Sequence, residues 1–379
     1  MSKGDRKANS FEQFAPSRLK LARSRRGVTK RKLAELAEIS TRSLTAYESG
    51  NQQPTRETVD RLAKALDFPL EFFGAPDVEE LPLESVSFRA LSKITARQRD
   101  QALAASLIAL DLAHWIERRF TLPEPNLPNL AVGGIERIEP ETASEAVRSE
   151  WGLGERPIRN MIHLLESNGV RVFSLVEECE EVDAFSFWRR GRPYMFLNIM
   201  KSGERSRMDA AHELGHLCLH RGGDVPQGKK EEADAKLFAT AFLMPRSSVL
   251  SKALRGGRVE ALISAKRFWM VSVGALAYRM HDLGLLTDWQ YRTCFIEISR
   301  LGYRRNEPNP IIRETSQILY KILSALRAEG ITQGTIARSL GIPLSELNKL
   351  VFGLVPTGVE GGSRGPAGNR GKSHLRMVE

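Results

Sequence analysis

The 379-residue chain has little cysteine and no long apolar run. Its three cysteines, Cys179, Cys218 and Cys294, are odd in number and far apart, and none stands in a CxxC pair. That excludes a disulfide framework and fits a reducing compartment. The longest membrane-span candidate, Ala102 to Trp115, is interrupted by Asp111 and His114 and reads as a helix of a soluble protein. The opening MSKGDRKANSFEQF has basic residues with no apolar core behind them, unlike a secretory signal. The expected location is the cytoplasm, with no membrane partner. No repeat recurs at a solenoid period.

Positive charge, by contrast, is plentiful and unevenly placed. The net charge is +10, and residues 1–34 alone hold 11 Lys or Arg against 2 Asp or Glu. A basic patch confined to one small region is the electrostatic footprint of a phosphate-backbone binder, although a solvated face carries the same signature. The length allows two or three domains, each with its own core.

Six segments are expected. They are a disordered arm over 1–14, a helical DNA-binding domain over 15–74, and a linker with a helical connector over 75–150. A domain of mixed helices and strands follows over 151–305, then a helical segment over 306–354 and a disordered basic tail over 355–379. The fold class is mainly α with a small β-sheet. A long amphipathic helix is expected from Ala96 to Phe120 and others over Ala143 to Trp151 and Pro157 to Asn168. Strands are expected over Gly169 to Leu175, Asp183 to Trp188 and Tyr194 to Ile199.

In the N-terminal domain, a basic helix covers Arg18 to Arg26. Thr29 is placed to cap a helix over Lys30 to Ala37, and Ser40 to cap one over Thr41 to Ser49, which Gly50 ends. Two short helices around a tight turn let the second lie in a major groove. Its exposed start offers Ser40, Thr41, Arg42, Ser43 and Thr45 to base edges, while Arg18, Lys30, Arg31 and Lys32 are candidates for phosphate contacts. The run RLKLARSRRGVTKRKLAELAEISTRSLTAYESGNQQPTRETVDRLAKALD resembles the Cro/C1-type (XRE) helix-turn-helix family. That resemblance implies a double-stranded DNA operator and a homodimer reading it. The helix from Ala96 to Phe120 is a candidate dimer surface, with an intrachain core as the alternative.

The strongest chemical signal is AAHELGHLCLH, ending at His220. His212 and His216, four apart, share one face of a helix, where both imidazoles can hold one Zn2+ ion. Glu213 is then placed to take a proton from the attacking water and pass it to the leaving amine. Gly222 stands where a metzincin needs a third histidine, which excludes that class. A carboxylate on the next helix is the other common third ligand, and Glu231, Glu232 and Asp234 all qualify. His220 can orient a ligand or simply end the helix, and Cys218 reads as a small buried apolar group. Tyr278, Arg279 and His281 are weaker candidates for stabilising an oxyanion.

RSRMDAAHELGHLCLH followed by EADAKLFATAFLMP resembles the ImmA/IrrE family of metallopeptidases over roughly residues 155–305. The resemblance implies that Glu232 is the third ligand. Lys236 stands where the family usually has Asn. It also implies a protein substrate that is itself a regulator, commonly a repressor; self-cleavage in the linker near residues 75–95 is a second possibility. The functional expectation is a DNA-binding transcriptional regulator with zinc-dependent endopeptidase activity. The alternative is a metal-binding repressor or antitoxin-like regulator with little or no peptidase activity. Near the C-terminus, helix, Gly341 turn and helix resemble a second helix-turn-helix, although a hairpin packed on the peptidase domain or a partner chain explains the same pattern.

Overall fold

The structure is a computed structural model that describes residues 14–79, 95–130, 138–175, 184–221, 228–252, 257–355 and 376–377. The N-terminal bundle consists of α1 (Pro16–Arg26), α2 (Lys30–Leu36), α3 (Thr41–Glu48) and α4 (Arg56–Leu66), closed by a 3-10 turn over Leu70–Gly74. The starts of three helices are set by their own sequence. Thr29, Ser40 and Thr55 each accept a bond from a backbone N–H three residues on, a cap worth about 1 kcal/mol. Helix α1 begins two residues before the expected Arg18 because Pro16 sits in its first turn, where its missing N–H costs nothing. Leu19, Leu33, Leu44, Val59, Leu62 and Phe72 fill the bundle's core.

Helix α5 (Ala96–Glu117) opens with a capping box between Thr95 and Gln98. It packs along α1, and its Ala102, Ile108, Ala109 and Leu112 are buried within the chain. The expected dimer surface is therefore an intrachain core, because its apolar face is already covered. A short bridge joins β1 (Phe120–Thr121) to β5 (Arg376–Met377).

Next come α6 (Pro140–Glu150), α7 (Met161–Ser167), β2 (Arg171–Ser174), β3 (Ala184–Arg189) and β4 (Arg192–Leu197). The expected helix over Pro157 to Asn168 is shorter in fact. Asn160 caps it by accepting from the His163 N–H, and the Ile158 carbonyl accepts from Arg207 instead of extending the helix. The sheet order is β2-β4-β3, with β2 parallel and β3 antiparallel to β4. Arg190 and Gly191 turn the β3–β4 hairpin, both at positive φ (48° and 76°), as a tight two-residue hairpin requires. One face of the sheet is an aromatic ladder of Phe173, Phe185, Phe187, Tyr194 and Phe196. The other face carries Ser186 and Trp188 towards α8 (Gly203–Leu219).

Helix α9 (Lys229–Leu243) lies against α8, and α10 (Arg246–Ser251), α11 (Val259–Trp269), α12 (Val273–Asp282) and α13 (Asp288–Arg300) follow. Three more helices, α14 (Gln317–Ala328), α15 (Gln333–Leu340) and α16 (Leu344–Val351), end the helical part. Helices α15 and α16 do form a helix–turn–helix shape around Gly341. However, α16 buries Glu346, Leu347, Leu350 and Val351 and packs on α5 and β2, so the hairpin serves packing.

Two carboxylates exchange helix caps across the molecule. Glu166 on α7 accepts from Ser316, Gln317 and Ile318 at the start of α14. Glu314, just before α14, accepts from the N–H groups of Met161 and Ile162 on α7 and pairs with Arg207 of α8. Glu346 of α16 bonds Arg25 at 2.6 Å and Arg26 at 2.5 Å, both on α1. Of the segments expected to be disordered, the arm over 1–14 lies outside the described residues except for buried Phe14. The tail over 355–379 also lies outside except for Val355 and β5. Among the described residues, no helix is long and apolar enough to cross a membrane.

Candidate metal centre and DNA-facing helix

Helix α8 places His212 and His216 one turn apart, and their Nε2 atoms lie 3.1 Å from each other. Gly215 lets α9 come close: a Cβ there would meet the Ala235 backbone at 3.2 Å and the Phe238 ring at 3.1 Å. That approach carries Glu232, in the first turn of α9, onto the pair. Its Oε2 is 3.5 Å from His212 Nε2 and its Oε1 is 3.5 Å from His216 Nε2. All three ligand atoms fall within 4.8 Å of one another. Two ligands of a tetrahedral ion at about 2.0–2.1 Å stand roughly 3.3 Å apart, so the donor set fits a zinc-sized ion. Of the other carboxylates considered, Glu231 is turned to the Gly228 N–H at 2.8 Å, and Asp234 is outside the cluster.

Burial and charge act against each other at these residues. Burial pushes the His212 imidazole down, but Glu232, Glu213 and Asp209 outweigh it and raise its pKa. Burial likewise pushes Glu232 up, yet its bonds to His212 and His216 hold it far below the carboxylate range. Asp209, one turn before Glu213, is raised to about 6 by burial, against the pull of Lys201, Arg205 and His212. Burial lifts the Cys218 thiol to about 12, which makes it an inert apolar group.

Glu213 is only 2% exposed, and the Ser186 hydroxyl donates to its Oε2 at 2.7 Å. Trp188, two residues along β3, donates from Nε1 to the Leu217 carbonyl at 3.0 Å, and the Arg221 guanidinium stacks 3.7 Å from its ring centre. Sequence reasoning missed Ser186. The only signal available was a lone hydroxyl at an alternating position within AFSFW. His220 lies with its Nδ1 2.9 Å from His216 Nδ1.

The weaker candidates are engaged elsewhere. Arg279 is buried against the Met244 carbonyl, Asp282 and Glu141. His281 pairs with Asp288 at 2.8 Å and stacks on Tyr291. The Lys236 ammonium sits 4.1 Å over the Tyr278 ring.

On the N-terminal bundle, Ser40, Thr41, Arg42 and Thr45 of the expected groove helix are exposed. Ser43 is half-buried, and both its N–H and its hydroxyl are bonded to Ser40 Oγ. Arg31 is exposed, Lys32 pairs with Glu35 and Lys30 pairs with Glu48. Arg18 is a correction. Its guanidinium is buried, bonded to Asp111 at 2.5 Å and to the Pro76 carbonyl at 2.8 Å, and it lies over Phe72. Reaching a phosphate would strand Asp111 and uncover a core ring, so Arg18 joins the bundle to α5 instead.

A family model of a helix-turn-helix domain matches residues 17–71, and one of the IrrE N-terminal-like domain, Peptidase M78, matches residues 165–281. No curated protein matches the chain. The expected mainly α architecture with a small sheet agrees with both matches. The chain thus carries a helix-turn-helix domain fused to an IrrE N-terminal-like domain of the Peptidase M78 family.

Proposed function

We propose that the chain is a DNA-binding regulator whose second domain is a zinc-dependent endopeptidase acting on a regulatory protein or on itself. The observation that carries this reading is the convergence of His212, His216 and Glu232 beside a Glu213 carboxylate anchored by Ser186. A Zn2+ ion held by these three residues supplies Lewis-acid polarisation of the scissile carbonyl and a readily deprotonated water. Glu213 accepts the proton of the attacking water and delivers it to the leaving nitrogen. The Ser186 hydroxyl, donating to one oxygen of that carboxylate, holds Glu213 in place for this role.

Domain limits near residues 15–74 and 151–305 go with this reading. Arg31, Lys32, Thr41, Arg42 and Thr45 form the proposed DNA face, with a homodimer reading a two-fold operator. One contact favours a substrate in cis. Glu79, at the start of the linker, is bonded to Arg189 at 2.6 Å and to Arg190 at 3.1 Å, at the end of β3.

The test compares new protein N-termini in cells expressing the wild type or Glu213→Gln. Fragments expected only with the wild type name the substrate, the chain itself included. Identical fragment sets would count against an active peptidase and favour a metal-bearing repressor over an enzyme silent until its signal arrives.

A further inference from the structure

We infer that His220 is a positioning residue for the metal centre, fixing the tautomer and the orientation of His216; the inference rests on the metal reading above. The His216 ring is nearly buried, at 5% exposure, and each of its nitrogens faces a defined group. Nε2 faces His212 Nε2 at 3.1 Å and Glu232 at 3.5 Å. Nδ1 faces His220 Nδ1 at 2.9 Å.

A neutral imidazole carries one N–H, and an N–H cannot point at a cation. Ligation through Nε2 therefore puts the proton of His216 on Nδ1, which then needs an acceptor. His220 Nδ1 stands at hydrogen-bond distance, so it presents its lone pair and keeps its own proton on Nε2. The opposite arrangement, in which His220 donates, would place the His216 proton on Nε2 between the ligands and block the site.

The backbone makes this pairing possible. His220 is the residue after α8, four beyond His216, and its N–H still bonds the His216 carbonyl at 3.0 Å. That bond keeps the two rings on one side of the helix, with centres 5.1 Å apart. A ligating histidine commonly donates its second N–H to a carboxylate or carbonyl. Here a neutral imidazole takes that place.

The experiment measures Zn2+ affinity of the full chain by competition with a chromophoric chelator. Wild type, His216→Ala, His220→Phe and His220→Asn are compared, with apo melting curves for each. The wild type should bind one ion and His216→Ala should lose it. His220→Phe keeps a ring but offers no acceptor, so its affinity should fall about 10- to 100-fold. His220→Asn can return an acceptor oxygen and should recover most of the loss. The Co2+-loaded forms of the wild type and both His220 variants should share the same visible absorption bands, because the ligand set is unchanged.

Equal affinity of His220→Phe and wild type would overturn the inference. So would altered Co2+ bands, which would make His220 a ligand in its own right. A wild type that binds no Zn2+ would instead sink the metal reading, and the inference with it.

Discussion

In the N-terminal bundle, the residues proposed to face DNA lie within Lys30 to Thr45, on two helices that cap themselves through Thr29 and Ser40. The candidate metal centre instead draws His212 and His216 from α8, Glu232 from α9 and Ser186 from β3. The first surface follows from local rules, so one stretch of chain specifies it. The second exists only when three elements pack together, and Gly215 is where two of them meet. A short motif can therefore announce such a centre without containing it.

Chelator gives the sharpest separation of the two regions. Removing the metal should abolish cleavage while leaving binding to operator DNA nearly unchanged, as read by parallel cleavage and gel-shift assays. Loss of DNA binding in the same samples would mean that the two regions fold as one unit.

Glu346→Ala probes the seam between the bundle and the C-terminal hairpin. Arg25 and Glu346 are both buried, so removing the carboxylate breaks a buried ion pair and should cost about 3–5 kcal/mol in chemical denaturation. Removing the exposed Lys32–Glu35 pair within the bundle should cost less than about 0.5 kcal/mol. Similar losses would show that the seam carries no special load.

Two buried carboxylates, Glu346 and Glu166, respond to pH in opposite directions. Burial raises Glu346, but Arg25, Lys349 and Arg26 outweigh it and lower its pKa, so its stabilisation is present at neutral pH and is lost in acid. Among the described residues, Glu166 has no such cation at bonding distance. Burial raises it to about 7, against the pull of the Ser316 hydroxyl, the N–H groups of Ile318 and Gln317, and more distant Lys321. A raised folded pKa favours the protonated native state, so this contribution is complete below the ordinary value of 4.5 and is lost as pH rises to about 7. Glu166→Gln should remove a pH dependence of about 3 kcal/mol between those limits, measured as unfolding free energy against pH. An unchanged slope would show that Glu166 is ionised throughout.

The smallest effect belongs to the bundle. Glu38, in the turn between α2 and α3, is held at φ 53°. Glu38→Gly should relieve that backbone and raise stability by up to about 1 kcal/mol, visible as a higher melting temperature. A lower melting temperature would mean that the contact between Glu38 and Arg61, 3.9 Å apart, outweighs the strain.

Much of this molecule was legible in its residues. The four-residue spacing of His212 and His216, the caps Thr29 and Ser40, and the strand-like run from Gly169 to Leu175 are local signals with local consequences. Arg18 misled because charge on a basic helix looks the same whether it meets solvent or Asp111. Ser186 was invisible because a hydroxyl in an apolar strand acquires meaning only from what packs over it. The same holds for α5, whose apolar face suits a partner chain as well as it suits α1.

By itself, then, the sequence determined the helices with their caps, the two family resemblances and the pair of histidines, because each depends on neighbours a few positions away. Tertiary structure decided how Glu232, which the resemblance had already implied, is brought onto those histidines, and what holds Glu213. It also decided that the C-terminal hairpin packs against the N-terminal bundle, through contacts as distant in sequence as Arg25 and Glu346. Such contacts leave no periodic trace in the chain, since only burial and charge pairing in the folded state select them.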